Sequence, residues 1–170
     1  MKRHLVLVGL PGSGKTTVGR RVSELLRTAF TDIDQIVVSA SGMPVAELFA
    51  AQGEEQFRRL ERAAMEGAMA APPHVIAPGA GWAAWPGNLD AAGDALLVYL
   101  RVSPAAAADR LRGDSSRPLL AGGDPMQRLE ELLAKREPWY RRSGAEVDAA
   151  LPLEHVAVAV ARLAHEKAGW

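Results

Sequence analysis

Between residues 5 and 16 the chain reads Leu5-Val6-Leu7-Val8-Gly9-Leu10-Pro11-Gly12-Ser13-Gly14-Lys15-Thr16. The first four residues are an unbroken apolar run closed by glycine, which suits a strand buried on both faces. Val18, Val22, Leu25, Leu26 and Ala29 then recur at helical spacing, so a helix is expected from about Lys15 to Ala29. Gly9 to Thr16 fits G-x-x-x-x-G-K-[ST] in the context that pattern needs, strand before and helix after. Glycines let successive backbone N–H groups turn inward around a phosphate, and the helix start adds its dipole. Lys15 supplies a point charge, and the Thr16 hydroxyl is suited to ligate Mg²⁺. Gly12, Ser13, Gly14, Lys15, Thr16 and Thr17 are therefore expected to hold the phosphates of a nucleotide.

Outward from this loop, strands and helices alternate. A short strand is expected to include Phe30 to Ile33, then helices over about Pro44–Ala51 and Glu54–Met69 on either side of Gly53. His74 to Ala77 reads as another buried strand, closed by Pro78-Gly79-Ala80-Gly81. A strand over Ala95–Val102 precedes Ser103-Pro104, a cap and a proline placed to start a helix over Ala105–Arg112. The stretch from Gly113 to Asp124 is a loop, and Asp124-Pro125 with Gln127 starts a helix in the manner of a capping box, running to about Arg136. A last strand over Ala145–Ala149 and a helix over Leu153–Ala168 close the chain. This alternation, with about five strands, implies an α/β fold with a parallel sheet covered on both faces.

The 170 residues match one ordinary domain, 1–170, long enough to build its own core. The absence of cysteine excludes disulfides and thiolate metal sites. Twenty Lys and Arg balance twenty Asp and Glu, so no global field would gather a polyanion, and no nucleic-acid partner is expected. No apolar run approaches the ~18 residues of a membrane helix. A cytoplasmic location, no membrane partner and a monomer are the expectations. His4, His74, His155 and His165 match no metal-ligand spacing and are expected at the surface or core edge.

Asp32 and Asp34 end the expected second strand, where a two-residue step would put both carboxylates on one face. One can hold hydrated Mg²⁺, and the other can orient a hydroxyl or accept its proton. Read blandly, they are turn-forming or solvated acids.

Taken together, Gly9 to Arg20, Asp32 with Asp34, Gly53-Glu54-Glu55-Gln56-Phe57-Arg58 with Glu61, Gly79-Ala80-Gly81, Arg110 to Leu120 and Arg136 to Tyr140 resemble shikimate kinase. The resemblance runs from about Leu5 to Ala145. It implies a three-layer α/β/α P-loop kinase fold of the nucleoside-monophosphate-kinase type, with a lid at about 113–124. It also implies transfer of the γ-phosphoryl group of ATP to the 3-hydroxyl of shikimate, with Mg²⁺.

The resemblance implies further roles. Arg58 and Arg136 would bind the substrate carboxylate, a job suited to planar fork donors. On spacing alone Arg58 belongs to a surface ion-pair row, and Arg136 is a helix C-terminal cation. The backbone amides of Gly79, Ala80 and Gly81 would face the substrate; family members usually have three glycines here, and Ala80 would be strained if its φ were positive. Arg117, in Arg117-Pro118-Leu119-Leu120, would close over the phosphates, and Arg110 would contact the nucleotide base. Lys15, Asp34 and Arg117 are the expected catalytic set, with Thr16 and Asp32 on the metal. Pro78, Trp82 and Trp85 depart from the family; the tryptophans either fill the core edge or reshape the acceptor pocket. These departures leave open a related kinase acting on another hydroxylated acid, and a third reading is a non-catalytic nucleotide-binding module.

Overall fold

The computed structural model describes residues 1–112 and 123–170. Five strands form one wholly parallel sheet: β1 (Leu5–Val8), β2 (Phe30–Asp32), β3 (Val75–Ala77), β4 (Leu96–Arg101) and β5 (Ala145–Asp148), in the spatial order β2-β3-β1-β4-β5. The central strand is the apolar run that opens the chain. Its four residues are at most 3% exposed, which requires cover on both faces of the sheet.

The described helices are α1 (Lys15–Leu26), α2 (Ile33–Ser41), α3 (Val45–Ala70), α4 (Asn88–Ala91), α5 (Pro104–Leu111), α6 (Pro125–Tyr140) and α7 (Leu153–Ala168). α1 and α7 pack on each other against the sheet, α2 on α3, and α5 on α6. The chain thus builds the expected three layers. No single helix among the described residues is long and apolar enough to cross a membrane.

Several expectations are corrected in detail. α1 ends at Leu26 rather than Ala29, because Arg27 takes a left-handed conformation that caps it. Helix α2 begins at Ile33, where the expected strand was to end, and fills a stretch for which no element was expected. Asp32 is its N-cap, accepting a hydrogen bond from the Gln35 backbone at 3.3 Å. Asp32 and Asp34 therefore do not share one face of a strand: one ends β2, the other lies in the first turn of α2. The two helices expected around Gly53 are present as a bend inside α3, where Gly53 has φ 82° and ψ 170°. The capping box at Asp124 is half made. Its carboxylate accepts from the Met126 backbone, while the Gln127 side chain turns to Glu131 instead. α6 continues through Pro138 to Tyr140 rather than ending at Arg136.

His4 and His74 are buried, and they lie at the opposite end of the sheet from the phosphate loop. Their rings meet edge to face at 5.1 Å. His4 Nε2 lies 3.2 Å from the Met69 carbonyl, which can only accept, and His4 Nδ1 accepts from the His74 backbone N–H. Both bonds are made by a neutral ring with its proton on Nε2. Burial, then the neighbouring His74, holds His4 below its ordinary value of 6.5. The unfolded chain therefore binds this proton at a higher pH than the folded one. The stability His4 contributes is complete above pH 6.5 and is lost as pH falls towards the lowered folded-state value. Thermal melting from pH 7.5 to 5 is expected to show a fall in Tm that His4→Asn flattens.

Candidate active site

The C-terminal ends of β1, β2 and β3 open onto one cleft of about 860 Å³, the place where a parallel sheet receives its ligand. The cleft is lined by Gly12, Gly14, Lys15, Thr16 and Thr17 from the loop after β1 and the start of α1, by Asp32 and Asp34 from the end of β2 and the start of α2, and by Gly79 and Ala80 from the turn after β3. α2 and α3, bent at 89° to each other, supply a wall through Val38, Pro44 and Val45. That wall was not foreseen, because α2 was not.

The loop before α1 is built to receive an anion. Gly14 caps the helix at φ 90° without a side-chain cap, and the first turn carries no acid. Gly12, at φ 79°, sits so close to α5 that a Cβ there would reach the Ala107 carbonyl at 2.8 Å. Lys15 Nζ donates to the carbonyls of Gly9 at 2.9 Å and Leu10 at 3.0 Å. The Ser13 hydroxyl is buried with no hydrogen-bond partner among the described residues, an orphaned donor that a phosphate oxygen would satisfy. Arg110 ties the outside of the loop down. Nη1 donates to the carbonyls of Gly12 and Ser13, each at 3.3 Å, and Nη2 to Ala149 at 2.6 Å. The Ala149 contact, on the turn after β5, was not anticipated; a backbone carbonyl carries no sequence signal.

Thr16 Oγ1 donates to Asp32 Oδ2 at 2.8 Å. A hydroxyl and a carboxylate are hard oxygen donors, and Mg²⁺ at a phosphate site takes most of its remaining ligands from water and phosphate. The pair therefore fits that ion. Among the described residues no group of three or more His, Cys, Asp or Glu could hold a metal by itself.

The turn after β3, whose Gly79 and Ala80 also line the cleft, is crowded by four side chains. A Cβ on Gly79 would overlap the Glu61 carboxylate and come to 3.2 Å from Asp34 Oδ1. A Cβ on Gly81 would overlap Arg58 and reach Arg136 Nη2 at 3.0 Å. Glycine at these two positions therefore brings Asp34, Glu61, Arg58 and Arg136 against one turn. Ala80, between them, is not in a positive-φ conformation, since Arg27 is the sole such non-glycine residue among those described. The expected strain is absent, and the Ala80 carbonyl accepts from the Tyr140 hydroxyl at 2.6 Å.

Neither arginine is a surface cation. Arg58 is 5% exposed and Arg136 8%, which overturns the ion-pair-row and helix-end readings. Arg58 Nη1 donates to Glu61 at 2.7 Å and Nη2 to the more exposed Glu54 at 3.3 Å. Glu61 is fully buried and also accepts from the Gly79 backbone at 3.1 Å. Burial pushes its carboxyl up, against the pull of Arg58, with the charge of Asp34 adding to the rise. Two buried guanidinium groups thus converge on Gly81, Arg58 paired with Glu61 and Glu54 and Arg136 with no carboxylate partner among the described residues, so a carboxylate ligand there would balance charge. Arg58 and Arg136 do not line the cleft itself; they meet at Gly81, one residue beyond Ala80.

Glu61 and Tyr140 lie in the quoted motifs without an assigned role, and the structure supplies positions for both. Their signal was spacing: Glu61 is three residues after Arg58, and Tyr140 four after Arg136. Burial pushes the Tyr140 phenol up to about 12, so it stays a hydrogen-bond donor to the turn. Trp82 is buried in the core, with its carbonyl held by Asn88. Trp85 is half-buried beside Arg58. Arg117 and most of the expected lid, 113–122, lie outside the described residues.

Comparison with known proteins agrees with this geometry. The family model described as "Shikimate kinase" matches residues 11–162. The shikimate kinase of Mycobacterium avium is 41% identical over 143 residues, 84% of this chain and 81% of that protein. The shikimate kinase of Mycobacterium tuberculosis is 42% identical over 142 residues, with the same two shares. Among solved structures, shikimate kinase from Acinetobacter baumannii in complex with shikimate superposes with a TM-score of 0.93 at 29% identity, covering 98% of this chain and 94% of that one. A gluconokinase from Sinorhizobium meliloti, 19% identical with a TM-score of 0.68 over 99% of this chain and 94% of that one, shares the fold.

Proposed function

The chain belongs to the shikimate kinase family, and we infer that it transfers the γ-phosphoryl group of ATP to the 3-hydroxyl of shikimate. The observation that carries this reading is the turn at Gly79 and Gly81. It gathers Asp34, Glu61, Arg58 and Arg136 beside the cleft that also holds Lys15 and Thr16. A carboxylate clamp, a carboxylate suited to a hydroxyl and a phosphate loop are the parts such a transfer needs.

We assign the residue roles from that placement together with the sequence motifs. The amides of Gly12, Ser13 and Gly14, the start of α1, Thr17 and Lys15 hold the nucleotide phosphates, with Lys15 exchanging its loop carbonyls for phosphate oxygens. Arg110 lies at the loop's outer rim, towards the base. Thr16 and Asp32 are the residues that hold Mg²⁺, which when bound neutralises charge on the β- and γ-phosphates. Arg58 and Arg136 clamp the substrate carboxylate, and the Gly79–Gly81 backbone lies along the ring. Asp34 orients the 3-hydroxyl and takes its proton as the oxygen bonds to the γ-phosphorus and the bond to ADP breaks. Arg117 is assigned on its motif to the charge spread over the transferring group.

We read the protein as a single domain and a cytoplasmic monomer acting on a free small molecule, with no nucleic acid or membrane partner. The cytoplasmic assignment is supported by the need for ATP. Balanced charge supports an anion site confined to the cleft. A different acceptor acid is less well supported, because Trp82 turns into the core and Ala80 takes an ordinary conformation. The test is ADP release with Mg²⁺ and ATP in the presence of shikimate, quinate or gluconate. Stimulation by shikimate alone is expected; stimulation by another acid alone, or by none, would overturn the assignment.

A further inference from the structure

Arg58 is held less completely than its burial requires. Its Nη1 and Nη2 donate to Glu61 and Glu54, yet Nε is buried with no hydrogen-bond partner among the described residues. Two aromatic rings also lie against it: Phe57, its neighbour on α3, with the centroid 5.1 Å from the guanidinium carbon, and Trp85, from the turn after β3, at 5.7 Å. Both are within the distance at which an aromatic quadrupole attracts a cation, and desolvation strengthens the attraction.

The segment that carries Trp85 is fixed to the helix that carries Arg58. Arg62, one turn further along α3, donates from Nη2 to the Pro86 carbonyl at 2.9 Å and to Asn88 Oδ1 at 3.1 Å. Asn88 Nδ2 in turn donates to the Trp82 carbonyl at 2.9 Å, and its backbone N–H to the Trp85 carbonyl at 3.2 Å. Trp85 is thus locked by bonds on both sides and packs on Arg58 rather than lining the cleft. We propose that Trp85 is a positioning residue: its indole holds the Arg58 guanidinium in the plane from which it meets the substrate carboxylate beside Arg136. This rests on the function inferred above. It assigns Trp85 to substrate affinity through Arg58, and gives it no part in the phosphoryl transfer.

The experiment compares the wild type with Trp85→Leu, which keeps apolar character without a π face, and Trp85→Phe, which keeps a smaller one. Each protein is assayed by ADP release with shikimate varied at saturating ATP and with ATP varied at saturating shikimate. Trp85→Leu is expected to raise KM for shikimate about five- to tenfold, with kcat and KM for ATP within about twofold. Trp85→Phe is expected to recover most of the loss. Leu and Phe variants that behave alike, whether both normal or both impaired, would overturn the proposal. So would a Leu variant in which kcat or KM for ATP moves along with KM for shikimate, the mark of general damage to the fold. A wild type that turns over no shikimate is a separate result, read before any variant, and overturns the function together with what rests on it.

Discussion

Asp34→Asn is expected to lower kcat by about 10²- to 10⁴-fold, the usual contribution of a positioned general base, while ATP binding stays within about twofold. The change keeps the shape of the side chain and removes its capacity to take a proton. Asp34 sits in the first turn of α2, and its Oδ1 lies against Gly79. The groups assigned to the phosphates, Lys15, Gly14 and Thr16, come from a different loop and are untouched. Steady-state kcat together with calorimetric titration of ATP reads both halves of the expectation. Near-normal turnover would remove Asp34 from the chemistry.

Arg136→Ala is expected to raise KM for shikimate by about 10²-fold, with KM for ATP unchanged. Charge-assisted hydrogen bonds are worth roughly 1.5–3 kcal/mol each, and a fork donor makes two of them to one carboxylate. The loss should fall on the acid because, among the described residues, Arg136 meets the site at Gly81 and is not part of the phosphate cradle. Arg136→Lys, which keeps charge without the fork, is expected to recover only part of the affinity. A KM for shikimate equal to wild type would take Arg136 out of the carboxylate clamp.

The parts of this site that were legible in the sequence are those set by local rules. β1 and α7 have the expected boundaries, because an unbroken apolar run and a 3.6-residue period are each contained in one element. The phosphate loop was legible because its glycine and lysine spacing is itself the structure. Helix α2 was not. Ile33, Ile36, Val37 and Val38 are β-branched residues that favour strands, which masks a helix here. The missed signal was Asp32 followed three residues later by Gln35, a helix start. Asp32 both caps this helix and receives the Thr16 hydroxyl, so its role as a cap was hidden behind its role in the site. α4 has only four residues, too few to show a period.

The meeting of Arg58 and Arg136 at Gly81 is a tertiary event between α3, α6 and the turn after β3. No spacing rule relates them, and only the family resemblance anticipated it. The extension of α6 through Pro138 has the same character. It puts Tyr140 one turn after Arg136 on the same buried face, so that its hydroxyl can hold the turn from below.

The position of β1 at the centre of a parallel sheet has a consequence for how the molecule is made. Its Leu5 pairs with Val75 on one side and Leu96 on the other, and neither partner exists when β1 leaves the ribosome. At roughly 5–20 residues per second of synthesis, four apolar residues stay without their sheet for several seconds, and loop-closure entropy slows the pairing further. The strand that delivers the phosphate loop is thus synthesised before both strands that flank it, so Leu5–Val8 is exposed apolar chain, of the kind that chaperones bind, until β3 and β4 follow it.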